Sequence, residues 1–233
     1  MTLQARDAYL ERAAEAGLAM FAERSWGLYQ RFPFEQAPRQ SPGDIVEAYE
    51  RARRLAAGFA SSLRECEERL NVQSRLRPGD VKDANRTIEK MSGGRRDVPL
   101  DLLGGTLICS SLTQAYAVAE DVTATFTVVS FRDRHVVPVP SGYRDLQFSV
   151  KLEGEHIAEL KILHRMLADL DQYEHRIFEV QRSIEARHRD EMPFIEGLVV
   201  KSLTTASNTM YTQAWKRILV TEGLLGQTED END

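Results

Sequence analysis

The chain has no run of about 18 consecutive apolar residues, the length a helix needs to span a bilayer, so no membrane crossing is expected. Its start, MTLQARDAYLERAAEAG, lacks the basic stretch followed by an apolar stretch that marks a secretory signal. The expected location is therefore cytoplasmic, with only signal-less secretion left open. There are two cysteines: Cys66 in a charged, helix-like stretch and Cys109 in an apolar, strand-like one. They read as reduced thiols, with one disulfide as the minor alternative. No C-x-x-C, H-E-x-x-H or P-loop pattern occurs, which removes the common zinc sites and the Walker-type phosphate loop. Positive charge is not in excess: 30 Lys and Arg face 36 Asp and Glu, a net charge of -6. That balance argues against coating of nucleic acid and leaves room for a local basic pocket around phosphates.

What is present suits one core with helical additions at its ends, in 233 residues. The first 30 residues have the Ala-rich spacing of helix. RFPFEQAPRQSPGD then interrupts with three prolines and a glycine. Asp44 is placed to cap a helix that runs to about residue 70, because Leu55, Phe59, Leu63, Cys66 and Leu70 recur at three and four. VKDANRTIEKM predicts a second helix, ended by SGGRRDVP. LLGGTLICS is too short for a helix and predicts a strand; SSLTQAYAVAEDV and TATFTVVS follow as helix and strand. In LQFSVKL and HIAELKIL apolar and polar residues alternate around the turn Glu153-Gly154-Glu155, which predicts a hairpin over 146–163. Helices are expected over about 165–188 and 196–224, before an acidic tail. The fold class expected is α+β: a mixed sheet flanked by helices. The division is a helical extension over 1–70, a core over 71–190 and a C-terminal helix and tail over 191–233.

Several side chains invite chemistry. In SGYRDLQFSV a turn presents Tyr143 and Arg144 at the mouth of a strand, which suits a stacked nucleobase with charge near its phosphates. A Tyr plugging a gap and an Arg in water is the plainer reading. Asp101 opens the strand LLGGTLIC, where a helix cap or a solvated strand edge is the plainer reading. Glu159 lies inside a strand, where a carboxylate needs solvent, a cation or a partner charge. Two such carboxylates brought together would suit magnesium, which takes oxygen ligands along with substrate phosphates. Lys82, Arg86 and Lys90 repeat at four and share a helix face, with Arg75, Arg77, Arg95 and Arg96 nearby. A solvated face and a phosphate-holding face are evenly matched there. Glu174 belongs to a helix face, with Lys or Arg as its expected partners. His164, His175 and His188 fall in or near the late helices, His175 sharing a face with Phe178 and Arg182.

In the order VKDANRTIEKM, DLLGGTLIC, SGYRDLQFSV, AELKIL and EHRIFEVQR, the stretch from about 70 to 190 resembles the synthetase domain of RelA/SpoT-type alarmone enzymes. The resemblance implies a nucleotidyltransferase-like core and Mg2+-dependent transfer of pyrophosphate from ATP to a ribose 3′-hydroxyl, with release of AMP. It implies that Asp101 and Glu159 serve the metal and the acceptor hydroxyl, and that Tyr143 stacks on the acceptor base. Lys82, Arg86, Lys90, Arg144, Gln147, Lys161, His175 and Arg182 would bind nucleotide. Four positions depart from the family pattern: Gln147 replaces a histidine, Thr106 an arginine, Arg86 a serine and Lys161 a glutamine. No separate region houses the hydrolase constellation of the long members.

The acceptors implied are GDP or GTP first, then an adenine nucleotide or, as in toxic relatives, the 3′ end of tRNA. A homo-oligomer or an inhibitor protein is the expected macromolecular partner. Against catalysis stand two alternatives: a degenerate nucleotide sensor, motivated by Thr106 and Gln147, and a purely structural or partner-binding protein.

Overall fold

The computed structural model describes residues 2–36, 39–40, 44–84, 87, 97–188 and 191–225. Two helices open the chain, α1 (Leu3–Glu15) and α2 (Ala22–Arg31), followed by α3 (Ile45–Leu70). Asp44 caps α3 by accepting from the amides of Val46 and Glu47, which supplies two of the donors a helix start leaves unpaired. Ala48, Ala52, Ala56, Phe59, Leu63 and Cys66 form its buried stripe, and Asn71 ends it in the left-handed conformation.

The chain then forms β1 (Gln73–Val81), a strand the sequence did not predict, and β2 (Leu103–Cys109). The helix expected at VKDANRTIEKM falls largely outside the described residues, as do Arg86, Lys90, Arg95 and Arg96. After α4 (Leu112–Thr125) come β3 (Thr127–Asp133), β4 (Leu146–Lys151) and β5 (Ile157–His164), and then α5 (Arg165–Arg187) and α6 (Phe194–Thr221). The five strands make one mixed sheet in the order β1-β2-β5-β4-β3. Of the strand pairs among the described residues, β2–β5 is parallel and the others are antiparallel. This is the α+β architecture expected, and the predicted hairpin over 146–163 is β4 with β5.

One hydrophobic core runs through all three stretches of the chain. It joins Leu18 and Phe21 near the N-terminus, Leu107, Phe148 and Leu160 of the sheet, and Tyr211, Trp215, Ile218 and Leu219 of α6. Polar pins fix the outer helices to it. The buried Asp133 carboxylate at the end of β3 accepts from Ser25 of α2 at 2.5 Å and from Tyr116 of α4 at 2.7 Å, and Tyr9 of α1 bonds Ser25 in turn. Trp215 donates to the Ala16 carbonyl at 3.0 Å. Glu222, just past α6, accepts from the Leu112 amide and pairs with His164 at 3.1 Å. Gly17 sits at φ +79 with Leu219 closing over it, so only a residue without a side chain fits that turn.

Both cysteines are buried and free, which removes the disulfide alternative. Burial pushes the Cys109 thiol up to about 12, and Cys66 is raised by the same cause. Among the described residues no helix is long and apolar enough to cross a membrane.

Candidate active site

Register places the site. Gly104 of β2 pairs with Glu159 of β5, Thr106 with Lys161, Ser149 of β4 with Glu159, and Gln147 with Lys161. Arg75 of β1 pairs with Thr106. Because side chains alternate along a strand, Arg75, Arg77, Gly104, Thr106, Gln147, Glu159 and Lys161 share one face. On the other face Gly105 lies against Phe59 and Leu63 of α3, so the polar set looks away from that helix.

Two carboxylates converge on this face. Asp101 stands in the turn before β2, and Lys82 follows β1; the Lys82 amide bonds the Leu102 carbonyl at 2.7 Å, which sets the two side by side. The nearly buried Lys82 ammonium then reaches Asp101 at 2.5 Å. Arg77 crosses the bare backbone of Gly104 and bridges the pair, its guanidinium 3.9 Å from Asp101 and 3.7 Å from Glu159. Lys161 lies 3.4 Å from Glu159, and the Gln147 amide donates to the same carboxylate at 2.5 Å. Burial alone would raise the Glu159 carboxyl. Lys161, Arg77 and Arg134 outweigh burial and the repulsion from Asp101, and hold it below the usual carboxylate range.

Tyr143 borders the cluster. Its half-buried ring meets Tyr211 of α6 edge-on at 5.6 Å, while Lys161 and Arg134 place cations 5.7 and 5.3 Å from its centre. Its hydroxyl donates to Asp145 at 3.0 Å, and burial, followed by the Asp145 charge, keeps the phenol protonated.

Thus Asp101, Glu159, Lys82, Gln147, Lys161 and Tyr143 gather in one place, and three predicted positions do not join them. Arg144 turns the other way: its guanidinium stacks on Trp215 at 4.6 Å and donates to the His135 carbonyl, because consecutive residues of an extended chain point to opposite sides. His175 and Arg182 lie on an exposed face of α5, His175 paired with Glu179 at 3.3 Å and Arg182 over Phe178. They line a groove of about 550 Å³ with Ser183, Ala186 and Arg187, and no described hydrogen bond or ion pair links them to the carboxylates. Among the described residues no Lys or Arg pairs with Glu174 as expected; it is buried between α5 and α6, accepting from Ser207 at 2.7 Å. Arg86 and Lys90 lie outside the described residues.

Sequence reasoning left Arg77, Arg134 and Asp145 out of the site. Arg77 could have been found as the residue two on from Arg75, which pairs with Thr106, had β1 been recognised. Arg134 and Asp145 carried no local signal.

No protein-family model matches the chain, and no curated protein matches it in sequence. Among solved structures it is similar to the small alarmone synthetase 2 from Bacillus subtilis, with a TM-score of 0.50 and 18% identity over 77% of this chain and 96% of that one. It is also similar to a chain from the complex between the Type VI effector Tas1 and its immunity protein, with a TM-score of 0.51 and 14% identity over 76% and 99%. At these identities the likeness is one of fold, and the fold is that of a RelA/SpoT-type synthetase domain.

Proposed function

We propose that this chain transfers pyrophosphate from ATP to the ribose 3′-hydroxyl of a purine nucleotide. The observation that carries the reading is the convergence of Asp101 and Glu159 on one guanidinium, Arg77, beside Lys82, Lys161 and the Tyr143 ring. Cations and carboxylates brought together from β1, β2 and β5 suit phosphoryl chemistry, which depends on positioning and charge neutralisation.

Lys82, Arg77 and Lys161 hold the ATP phosphates, with Arg86 and Lys90 assigned to the same task from sequence. Tyr143 stacks on the acceptor base. Glu159 orients the 3′-hydroxyl and takes its proton on a carboxylate oxygen while the 3′-oxygen bonds the β-phosphorus. The bond from that phosphorus to the oxygen bridging the α-phosphate breaks, and AMP leaves. Glu159 is held well ionised, so its larger contribution is aim, with proton acceptance completed as the oxygen–phosphorus bond forms.

The donor set fits magnesium in one respect: both carboxylates already share a cation, the Arg77 guanidinium. Among the described residues no group of three or more ligands forms, so phosphate oxygens would complete the coordination. When bound there with ATP, the ion would supply charge neutralisation on the phosphates.

GDP and GTP are the acceptors proposed first, an adenine nucleotide second. The immunity protein in the Tas1 complex supports an inhibitor protein as partner. A second reading, a nucleotide sensor without transfer, is favoured by Thr106, where a small hydroxyl stands between Arg75 and Lys161.

The test uses ATP labelled at the γ-phosphate, magnesium, and GDP, GTP, ADP or deacylated tRNA in parallel. Label on one acceptor with matching AMP, lost in Asp101→Asn and Glu159→Gln, supports transfer and names the acceptor. Nucleotide binding without AMP release supports the sensor.

A further inference from the structure

We infer that Arg134 and Asp145 form a clamp that positions the Tyr143 ring for the acceptor, an inference that rests on the transfer reading above. The clamp closes the loop of residues 134–145 between β3 and β4. At its base the Arg134 amide bonds the Asp145 carbonyl at 2.9 Å. The side chains then repeat the closure: Arg134 Nε reaches Oδ1 at 2.6 Å and Nη2 reaches Oδ2 at 2.8 Å. This two-pronged geometry fixes direction as well as distance.

Burial argues that the pair serves more than stability. The Asp145 side chain is fully buried and that of Arg134 is 12% exposed. Ion pairs at such depth lose about as much in desolvation as they gain in attraction, and apolar side chains can replace them at no cost. What this pair provides is an acceptor for the Tyr143 hydroxyl, which donates to Oδ2 at 3.0 Å. The hydroxyl end of the ring is thereby fixed. The backbone end is fixed from α6: Gly142, at φ +80, lies so close that an added carbon would sit 3.1 Å from Tyr211 and 3.2 Å from Asn208. Asn208 also donates to the Pro140 carbonyl at 3.1 Å.

Two consequences follow for recognition. With its proton committed to Asp145, the Tyr143 hydroxyl is not free to donate to a base edge, so the ring offers a stacking surface and selects for a large flat base. Arg134, in turn, commits Nε and Nη2 to Asp145 and makes no hydrogen bond from Nη1 to a described residue. Its guanidinium lies 5.3 Å from the centre of the Tyr143 ring, and its charge is also felt at Glu159.

Tyr143→Phe removes one O–H and leaves the ion pair whole, and Arg134→Lys keeps the charge but loses the fork. Both avoid the unpaired buried charge that Asp145→Asn would leave. Binding of GDP, GTP, ADP and α,β-methylene ATP is measured directly, together with acceptor KM and kcat and with amide hydrogen exchange of the nucleotide-free protein. In Tyr143→Phe the acceptor should bind about tenfold more weakly, with α,β-methylene ATP affinity within about twofold, as expected for losing a bond to a charged group on the acceptor side only. Amides over 139–145 should exchange faster in both variants. Equal weakening for donor and acceptor, or unchanged acceptor binding, overturns the clamp. Wild-type protein that binds none of the four nucleotides defeats the transfer reading instead, and the exchange measurement still judges the clamp: unchanged exchange overturns it.

Discussion

Trp215 is where the C-terminal helix meets both the N-terminal turn and the loop that carries Tyr143. The indole is 4% exposed. Its N–H donates to the Ala16 carbonyl, His135 stacks on it at 5.1 Å and 11°, and the Arg144 guanidinium lies 4.6 Å over it. Trp215→Ala removes a buried aromatic, which costs about 3–5 kcal/mol through lost transfer and a cavity. The orphaned Ala16 carbonyl and the lost cation–π contact add about 1–2 kcal/mol. A domain's whole stability is about 5–15 kcal/mol, so this single change should bring the chain to the edge of unfolding. At about 2–4 °C per kcal/mol for a chain of this size, Tm should fall by about 8–28 °C. Trp215→Phe keeps the ring and loses only the N–H, so its cost should be about 1–2 kcal/mol. Urea unfolding followed by far-UV circular dichroism checks both, since Trp26 would confuse a fluorescence signal. If Trp215→Ala unfolded within about 1 kcal/mol of wild type, the helix would be an appendage and the shared core argued above would be wrong.

Glu159→Gln and Asp101→Asn should each reduce pyrophosphate transfer by at least about 100-fold while moving Tm by only a few degrees, because the lost charges sit in a partly solvated cluster; AMP release and thermal melts check this. Gly17→Ala should destabilise by about 2–4 kcal/mol, combining left-handed strain with a clash on Leu219. Gly27→Ala, within α2 and facing open space, should instead stabilise by about 0.5–1 kcal/mol, so urea midpoints must move in opposite directions. Acid should also destabilise: burial pushes His135 down to about 3 and His156 to about 4, and neither ring nitrogen of either residue has a described partner. The unfolded chain takes up these protons below about pH 6.5 and the folded one does not, so stability is full above that value. It then falls by up to about 1.4 kcal/mol per pH unit per histidine down to the folded values. His156→Leu should flatten the decline in urea midpoints between pH 6.5 and 4.5.

Local physics carried much of the fold into the sequence. The Asp44 cap and a three-four apolar spacing announce α3, and a period of two announces the β4–β5 hairpin with Glu159 and Lys161 on one face. These features depend on neighbours within a few positions, so they can be read without knowing the fold. β1 was hidden by the site itself. Gln73, Arg75 and Arg77 occupy the face that would be apolar in a buried strand, and Pro78-Gly79 resembles a linker. The site was half visible for a related reason. Asp101, Glu159 and Tyr143 stand in motifs, whereas the cations that complete their surroundings come from pairing across strands. Sequence adjacency pointed to Arg144 as the charge beside Tyr143, yet strand geometry sends it to Trp215. The charge near the ring belongs to Arg134, nine positions earlier, and to Lys161 on a different strand. Helical period correctly put His175 and Arg182 on one face of α5, but period alone cannot say what that face looks toward. Side chains that act through a loop closure, as Arg134 does through Asp145, become recognisable only when both ends of the loop are seen together.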